Sequence, residues 1–163
     1  MNEQENVIDE QQPGAKPVRK KKSNTRRQAR TLALQALYET DQTEHPWQEV
    51  LERTLEEDET GAAVVPYLTT LIEGIFEHQR SIDREIELAA PAFPIGQLSP
   101  VDRNTLRIAI YELRYSSDVP VKVAINEAVE LAKRFGGESS GRFVNGVLGT
   151  VVDRLPDSDT KRR

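Results

Sequence analysis

The sequence predicts an all-α fold, a compact bundle of about seven helices. Three observations carry that expectation. Between two polar ends, apolar residues recur at i, i+3 and i+4 rather than in alternation. Prolines stand where helices open, at Pro46, Pro100 and Pro120. Glycines stand where a helix closes, most plainly at Gly136-Gly137.

Each element follows in order. A first helix is expected from a cap at Ser23 or Asn24 to about Asp41, with Ala29, Leu32, Ala33, Ala36 and Leu37 on one face. A second opens at Pro46 and turns Trp47, Val50, Leu51 and Leu55 inward. The acidic stretch Glu56-Glu57-Asp58-Glu59 reads as a solvated linker ending near Gly61. A third helix carries Val64, Val65, Leu68, Leu71, Ile72, Ile75 and Phe76. Ser81 is the expected cap of a short fourth, with Ile82, Ile86 and Ala89, before Pro91 and Pro94 break the pattern. Ser99-Pro100-Val101-Asp102 is a strong helix start: a capping hydroxyl, a proline at the first helical position and an acid in the first turn. That fifth helix reaches Ser116. The sixth runs from Val119-Pro120 to Phe135, and the seventh, capped by Ser139 or Ser140, carries Phe143, Val144, Val147, Leu148, Val151 and Val152.

The ends differ from this body. Residues 1–22 are polar and contain Pro13, Gly14 and Pro17, so they bury too little to offset the entropy of ordering and are expected to be a disordered basic extension. Residues 156–163 read as a disordered tail, which leaves 23–155 as the folded domain.

The formal net charge of −5 conceals a division. Between Gln11 and Tyr38 stand eight basic residues and no acid, whereas 39–163 holds 14 basic and 23 acidic residues, a net of −9. A basic arm on an acidic body suits a polyanion contact at one end, although charge alone leaves a solubility or localisation tail equally open. There is no cysteine, so disulfides, thiolate metal sites and a cysteine nucleophile are excluded. No apolar run approaches the roughly 20 residues that span a bilayer. The polar N-terminal stretch lacks the apolar centre of a secretion signal, and a cytoplasmic location is expected.

Catalytic patterns are missing. His45 and His78 have no ligand partner at metal-binding spacing and read as solvent-facing polar residues. No P-loop, dinucleotide fingerprint or nucleophile elbow occurs. Gly141, Gly146 and Gly149 lie among apolar residues at helical spacing, which favours close helix packing over a phosphate cradle. Neither an enzyme nor a metal or other cofactor is expected.

The informative segment is Arg26-Arg27-Gln28-Ala29-Arg30. Arg26 and Arg30 are one turn apart and share a face, with Arg27 on the flank. At a helix start, guanidinium groups and free backbone amides together suit phosphate. The preceding Lys20-Lys21-Lys22 favours nucleic acid over a merely solvated face. Tyr38 follows two turns later. It is either a stacking platform for an unpaired base or a half-buried tyrosine at the edge of the core.

These residues, with Leu34-Gln35-Ala36-Leu37-Tyr38, resemble the opening helix of the NusB family. Three further blocks resemble it more specifically: Leu106-Arg107-Ile108-Ala109-Ile110-Tyr111-Glu112-Leu113, the run Asp118-Val119-Pro120 to Lys133, and Phe143-Val144-Asn145-Gly146-Val147-Leu148. The resemblance implies an all-helical fold in two small subdomains. It implies a transcription antitermination factor that binds the boxA element of ribosomal RNA leader transcripts with the small-subunit ribosomal protein NusE, and loads onto RNA polymerase with other Nus factors. It also implies site residues: Arg26, Arg27, Arg30 and Tyr38 for RNA, then Lys133, Arg142, Phe143 and Asn145 for a second part of the RNA surface, with Asp102 and Glu112 facing NusE. Gln28 departs from the pattern, since arginine is common there. Asn126 and Glu127 match the family as well, but either is equally suited to bracing a neighbouring loop.

Two other functions compete. Some ribosomal RNA cytosine methyltransferases open with a NusB-like domain and continue into a Rossmann-type one, which this sequence lacks. A pure protein adaptor would leave the arginines as a solvated face. Whether the chain forms a homodimer is open.

Overall fold

The computed structural model describes residues 18–157. They form seven α-helices: α1 (Val18–Gln42), α2 (Trp47–Glu56), α3 (Val65–Glu77), α4 (Gln79–Ala89), α5 (Pro100–Tyr115), α6 (Val121–Phe135) and α7 (Ser140–Asp153). Short 3-10 turns at Asp58–Thr60 and Ile95–Gln97 lie between α2 and α3 and between α4 and α5. No strand occurs among the described residues, as the apolar spacing predicts.

Helix α5 is the axis of the molecule. Every residue from Arg103 to Leu113 is buried. Helices α1, α2 and α3 pack together and α1 and α3 meet α5, while α4, α6 and α7 gather on α5 as a second group. A helix buried all round is normally apolar all round. This one carries Arg103, Asn104, Arg107 and Glu112 into the interior, and each must find a partner there because an unpaired buried charge is very costly.

Partners are supplied by the surrounding elements. Arg103 donates to the Asp41 carboxylate of α1 and, through Nη1, to the carbonyls of Ile95 at 3.0 Å and Leu98 at 2.9 Å. Arg107 makes a two-pronged contact with Asp83 of α4, at 2.8 and 3.0 Å. Its Nη1 also donates to Asn104 Oδ1 at 3.0 Å. Glu112 receives Nε and Nη2 of Arg30 from α1, both at 2.8 Å, and the hydroxyl of Tyr67 from α3. The apolar core sets how tightly the helices approach α5, and these polar spokes set their register. At Gly74 of α3 the approach to α5 is close: a Cβ there would lie 2.2 Å from the Tyr111 ring.

The start of α5 is built as the sequence predicts. Ser99 Oγ accepts from the Asp102 amide at 3.1 Å, and Pro100 occupies the first turn. Other boundaries differ. Helix α1 is already helical at Val18, ahead of Ser23 and Asn24, so residues 18–22 of the predicted extension are helical. Once the core holds the face from Ala29 onward, adding turns of good helix formers such as lysine and arginine costs little. The rest of the predicted extension, 1–17, and residues 158–163 of the tail lie outside the described residues. Helix α4 begins at Gln79, which leaves Ser81 exposed within it rather than capping it. At α7 the side chain of Ser139 makes no cap, and Ser140 Oγ accepts from the Gly137 amide at 3.0 Å. Close packing explains Gly141, whose added Cβ would lie 2.9 Å from Lys133 Cγ. It does not explain Gly146 or Gly149, which face open space.

The buried Arg30–Glu112 pair gives a stability prediction. Glu112→Ala removes the bidentate partner of a buried guanidinium and is expected to lower the unfolding free energy by about 3–5 kcal/mol, whereas the joint change Arg30→Met with Glu112→Leu costs much less. Urea denaturation of the two variants checks both halves of the statement.

Candidate nucleic-acid interface

The three arginines of α1 diverge. Arg26 and Arg30 do share a face, but it is the inward one. Arg26 lies over the Tyr67 ring, 4.7 Å from its centroid, and pairs with Asp118 of the α5–α6 connection. Arg30 is only 3% exposed, with its guanidinium fixed on Glu112. The expectation that Arg30 presents itself to RNA is therefore corrected, and so is the expectation that Glu112, 1% exposed beneath it, faces a protein partner. The physical reason lies in the spacing: Arg30 falls in line with Ala33 and Leu37, the stripe that enters the core. The helix-start phosphate site fails as well. Arg26 sits about two turns inside α1, away from the free amides of the first turn.

Arg27 points outward, with 60% of its side chain exposed. Its Nε and Nη2 donate to the two carboxylate oxygens of Glu127 on α6, at 3.1 and 2.8 Å. Glu127 thus braces the helix α1 and not the neighbouring loop, the bland role the sequence left open. From Arg27, helical spacing leads through Thr31 and Leu34 to Tyr38, eleven residues on and about 20° away in azimuth. Tyr38 therefore follows Arg27 and not Arg30. It is 44% exposed and lines a hollow of about 340 Å³ with Leu34, Gln35, Val101 and Phe135. Gln28, exposed beside Arg27, donates to the Glu59 carbonyl at 3.3 Å.

A second hollow, of about 430 Å³, is lined by Arg142 and Phe143 of α7, Asp102 and Ser99 at the start of α5, and Phe93. Phe93 meets Phe143 edge-on at 5.4 Å. Val101 lines one hollow and Asp102 the other, so the first turn of α5 separates them. Lys133 is exposed near the end of α6, its stem against Gly141 and its ammonium 3.7 Å from Glu130. Asn145 is exposed one turn into α7. The structure thus brings Arg142, Phe143 and the predicted partner residue Asp102 round one depression, with Lys133 nearby and Tyr38 across the α5 start.

Sequence reasoning missed two exposed groups. Phe93 sits between the prolines that break the helical pattern and is 53% exposed. An aromatic in such a break was the available signal. Arg134 is exposed, lies 4.9 Å from the Phe135 ring centroid, and shares a hollow with Arg27 and Glu127. His45 is exposed beside Glu39, as expected, but His78 stacks on Tyr115 at 3.8 Å instead of facing solvent alone. Among the described residues no cluster of three or more His, Asp or Glu has metal-binding geometry, and no helix is long and apolar enough to cross a membrane.

Electrostatics keep these groups charged. Hydrogen bonding and the charge of Glu127 raise Arg27 above its usual value. Burial works against the charge on Arg30, but the hydrogen bonds and charge of Glu112 outweigh it. Burial first, then Glu112, pushes the Tyr67 phenol far up, so it stays a donor. The hydrogen bond from Arg26 holds the Asp118 carboxyl below its ordinary value against the opposing effect of burial.

Residues 27–153 match the model of the NusB family. The chain belongs to the NusB family. It is 48% identical over 140 residues to the transcription antitermination protein NusB of Dehalococcoides mccartyi (strain CBDB1), covering 86% of this chain and 98% of that protein. It is 48% identical over 134 residues to the NusB of Chloroflexus aggregans, covering 81% and 89%. Among solved structures, Thermotoga maritima NusB superposes with a TM-score of 0.77 at 34% identity, covering 83% of this chain and 96% of that one. A chain in a crystal structure of the antitermination factors NusB and NusE with double-stranded RNA superposes with a TM-score of 0.74 at 28% identity, covering 81% and 98%. This NusB-family chain is therefore a transcription antitermination factor, not an enzyme.

Asp118 gives a pH prediction. Its folded pKa lies below the unfolded value near about 3.9, so its stabilisation is present above about pH 4 and is lost as pH falls through the folded pKa. Asp118→Asn should melt below wild type near neutral pH, and the gap should close in acid. Thermal melts of both proteins from about pH 7 down to about pH 2 check it, and a gap that persists undiminished contradicts the assignment.

Proposed function

We propose that the protein binds single-stranded, boxA-type RNA of ribosomal RNA leader transcripts together with the ribosomal protein NusE. On this reading it supports ribosomal RNA synthesis in the cytoplasm, within an antitermination complex of RNA polymerase and other Nus factors. The observation that carries the reading is the pairing of accessible aromatic rings with exposed guanidinium groups: the half-buried Phe143 and the exposed Phe93 beside Arg142, and the exposed Tyr38 on the same helix stripe as Arg27. Aromatic faces stack unpaired bases, and arginines hold the phosphates between them. Lys133 and Asn145 extend this surface on α6 and α7. Arg26 is half-withdrawn onto Tyr67 and Asp118 and contributes less. A relative at 28% identity has been crystallised with NusE and double-stranded RNA, which supports both partners in kind.

The acidic balance of residues 39–163 repels RNA from most of the body and suits a basic ribosomal protein. Asp102, partly exposed in the first turn of α5, is the acid best placed to meet it.

Three substitutions test the reading. Phe143→Ala is expected to weaken binding of a boxA-like strand about 5- to 150-fold, the value of one stacked base, while Arg27→Ala flattens the log–log salt dependence by about 0.7. Fluorescence titrations against boxA-like, scrambled and duplex RNA check these, and equal affinity for scrambled RNA rejects the boxA assignment. Asp102→Lys is expected to weaken the NusE complex about tenfold or more and to leave RNA binding by the protein alone unchanged. Calorimetry with NusE reads the first effect, and wild-type affinity there moves the partner surface elsewhere.

A further inference from the structure

In the free protein every arginine of the α1 motif is already matched by an acid: Arg26 by Asp118, Arg27 by Glu127 and Arg30 by Glu112. Three positive charges face three negative ones, so the motif is not a bare cationic patch. The three pairs differ in what they allow. Arg30 is enclosed, and Arg26 is held by both an aromatic face and a carboxylate. Arg27 alone combines high exposure, 60%, with a bidentate contact.

The Nε–Nη2 edge of a guanidinium is the edge that grips a phosphate with two parallel hydrogen bonds. On Arg27 that edge is filled by the Glu127 carboxylate, which presents two oxygens much as a phosphodiester does. Glu127 does not depend on Arg27 alone. Its side chain is 13% exposed, and its Oε2 lies 3.8 Å from Nη1 of the buried Arg30. When Arg27 swings out to a phosphate, Glu127 keeps a cation behind it. The cost of the exchange is thereby lowered, because the carboxylate left behind still has a cation near it, shared with Glu112.

We propose that Glu127 is an internal competitor for Arg27, a carboxylate that occupies the phosphate-gripping edge in the free protein and is exchanged for an RNA phosphate on binding. This rests on the RNA-binding reading above and names the residue that tunes it. The competitor penalises weak polyanions, since a phosphate must displace an ordered bidentate partner before it gains anything from Arg27. A strand that also stacks its bases meets that cost from other contacts, so the device shifts the balance from charge toward base recognition.

The test is a titration of a labelled boxA-like single strand, at several salt concentrations, with wild type, Glu127→Gln, Glu130→Gln, Arg27→Ala and the double variant Arg27→Ala with Glu127→Gln. Glu127→Gln is expected to bind about two- to tenfold more tightly, from the release of one partly exposed charge-assisted pair. Its salt slope should match that of wild type, because Arg27 holds the same phosphate in both complexes, whereas Arg27→Ala lowers the slope by about 0.7. The gain should vanish when Arg27 is absent and should be small for Glu130→Gln, an exposed acid one turn away that pairs with Lys133 instead. Weaker binding by Glu127→Gln with an unchanged melting temperature overturns the proposal, because Glu127 then positions Arg27 for RNA. A gain that survives Arg27→Ala also overturns it, since the effect is then the general field of the acid. Polyphosphate, titrated alongside, carries charge without bases. A tighter polyphosphate complex for Glu127→Gln with no saturable RNA binding by wild type keeps the competitor and rejects the RNA reading. Wild type binding neither polyanion rejects both.

Discussion

The guanidinium of Arg30 rests on the carboxylate of Glu112 inside the protein, with Tyr67 donating to the same acid from a third helix. Buried pairs of this kind contribute little net stability over an apolar substitute, but they tolerate few geometries. A guanidinium fork must meet both carboxylate oxygens in one plane. That requirement fixes how far α1 can slide along α5 and how far it can turn about its own axis. Asp41 repeats the constraint near the other end of α1, where it receives Arg103 and Asn104. Helix α1 is therefore pinned to α5 at two points about three turns apart.

The surface follows from this pinning. With Arg30 inward, Arg27 and Tyr38 are carried outward together, and Arg27 is delivered to Glu127 on α6. The first turn of α5, capped by Ser99, then separates a hollow under Tyr38 from one under Phe143. A cationic and aromatic surface is thus assembled from α1, α6 and α7 on a body whose remaining charge is acidic. On the proposed reading, the polyanion contact is confined by geometry rather than by a large excess of positive charge.

Much of this was legible in the sequence. Apolar spacing located all seven helices, and Ser99-Pro100-Val101-Asp102 marked the start of α5 with its cap. What sequence reading lost were matters of partner and rotation. Arg30 and Glu112 are charged, and charge alone suggests exposure, although Arg30 stands in register with Ala33 and Leu37 and Glu112 lies between Tyr111 and Leu113. A residue's helical phase is local, but its ion-pair partner lies 82 positions away and cannot be read from spacing. Ser81 had the right chemistry for a cap, yet only a single residue, His78, parts α3 from α4, so the helix simply starts earlier. Phe93 belongs to no periodic stretch, so apolar spacing does not mark it.

The central claim is that Arg30 serves the fold and Arg27 serves the surface. Side-chain Nε–Hε resonances of the two arginines, followed by solution NMR while boxA-like RNA is added, test it directly. The account predicts that the Arg27 signal moves with RNA, whereas the Arg30 signal stays in place and exchanges slowly with solvent before and after. An Arg30 signal that shifts as far as that of Arg27, or exchanges as fast, would contradict it.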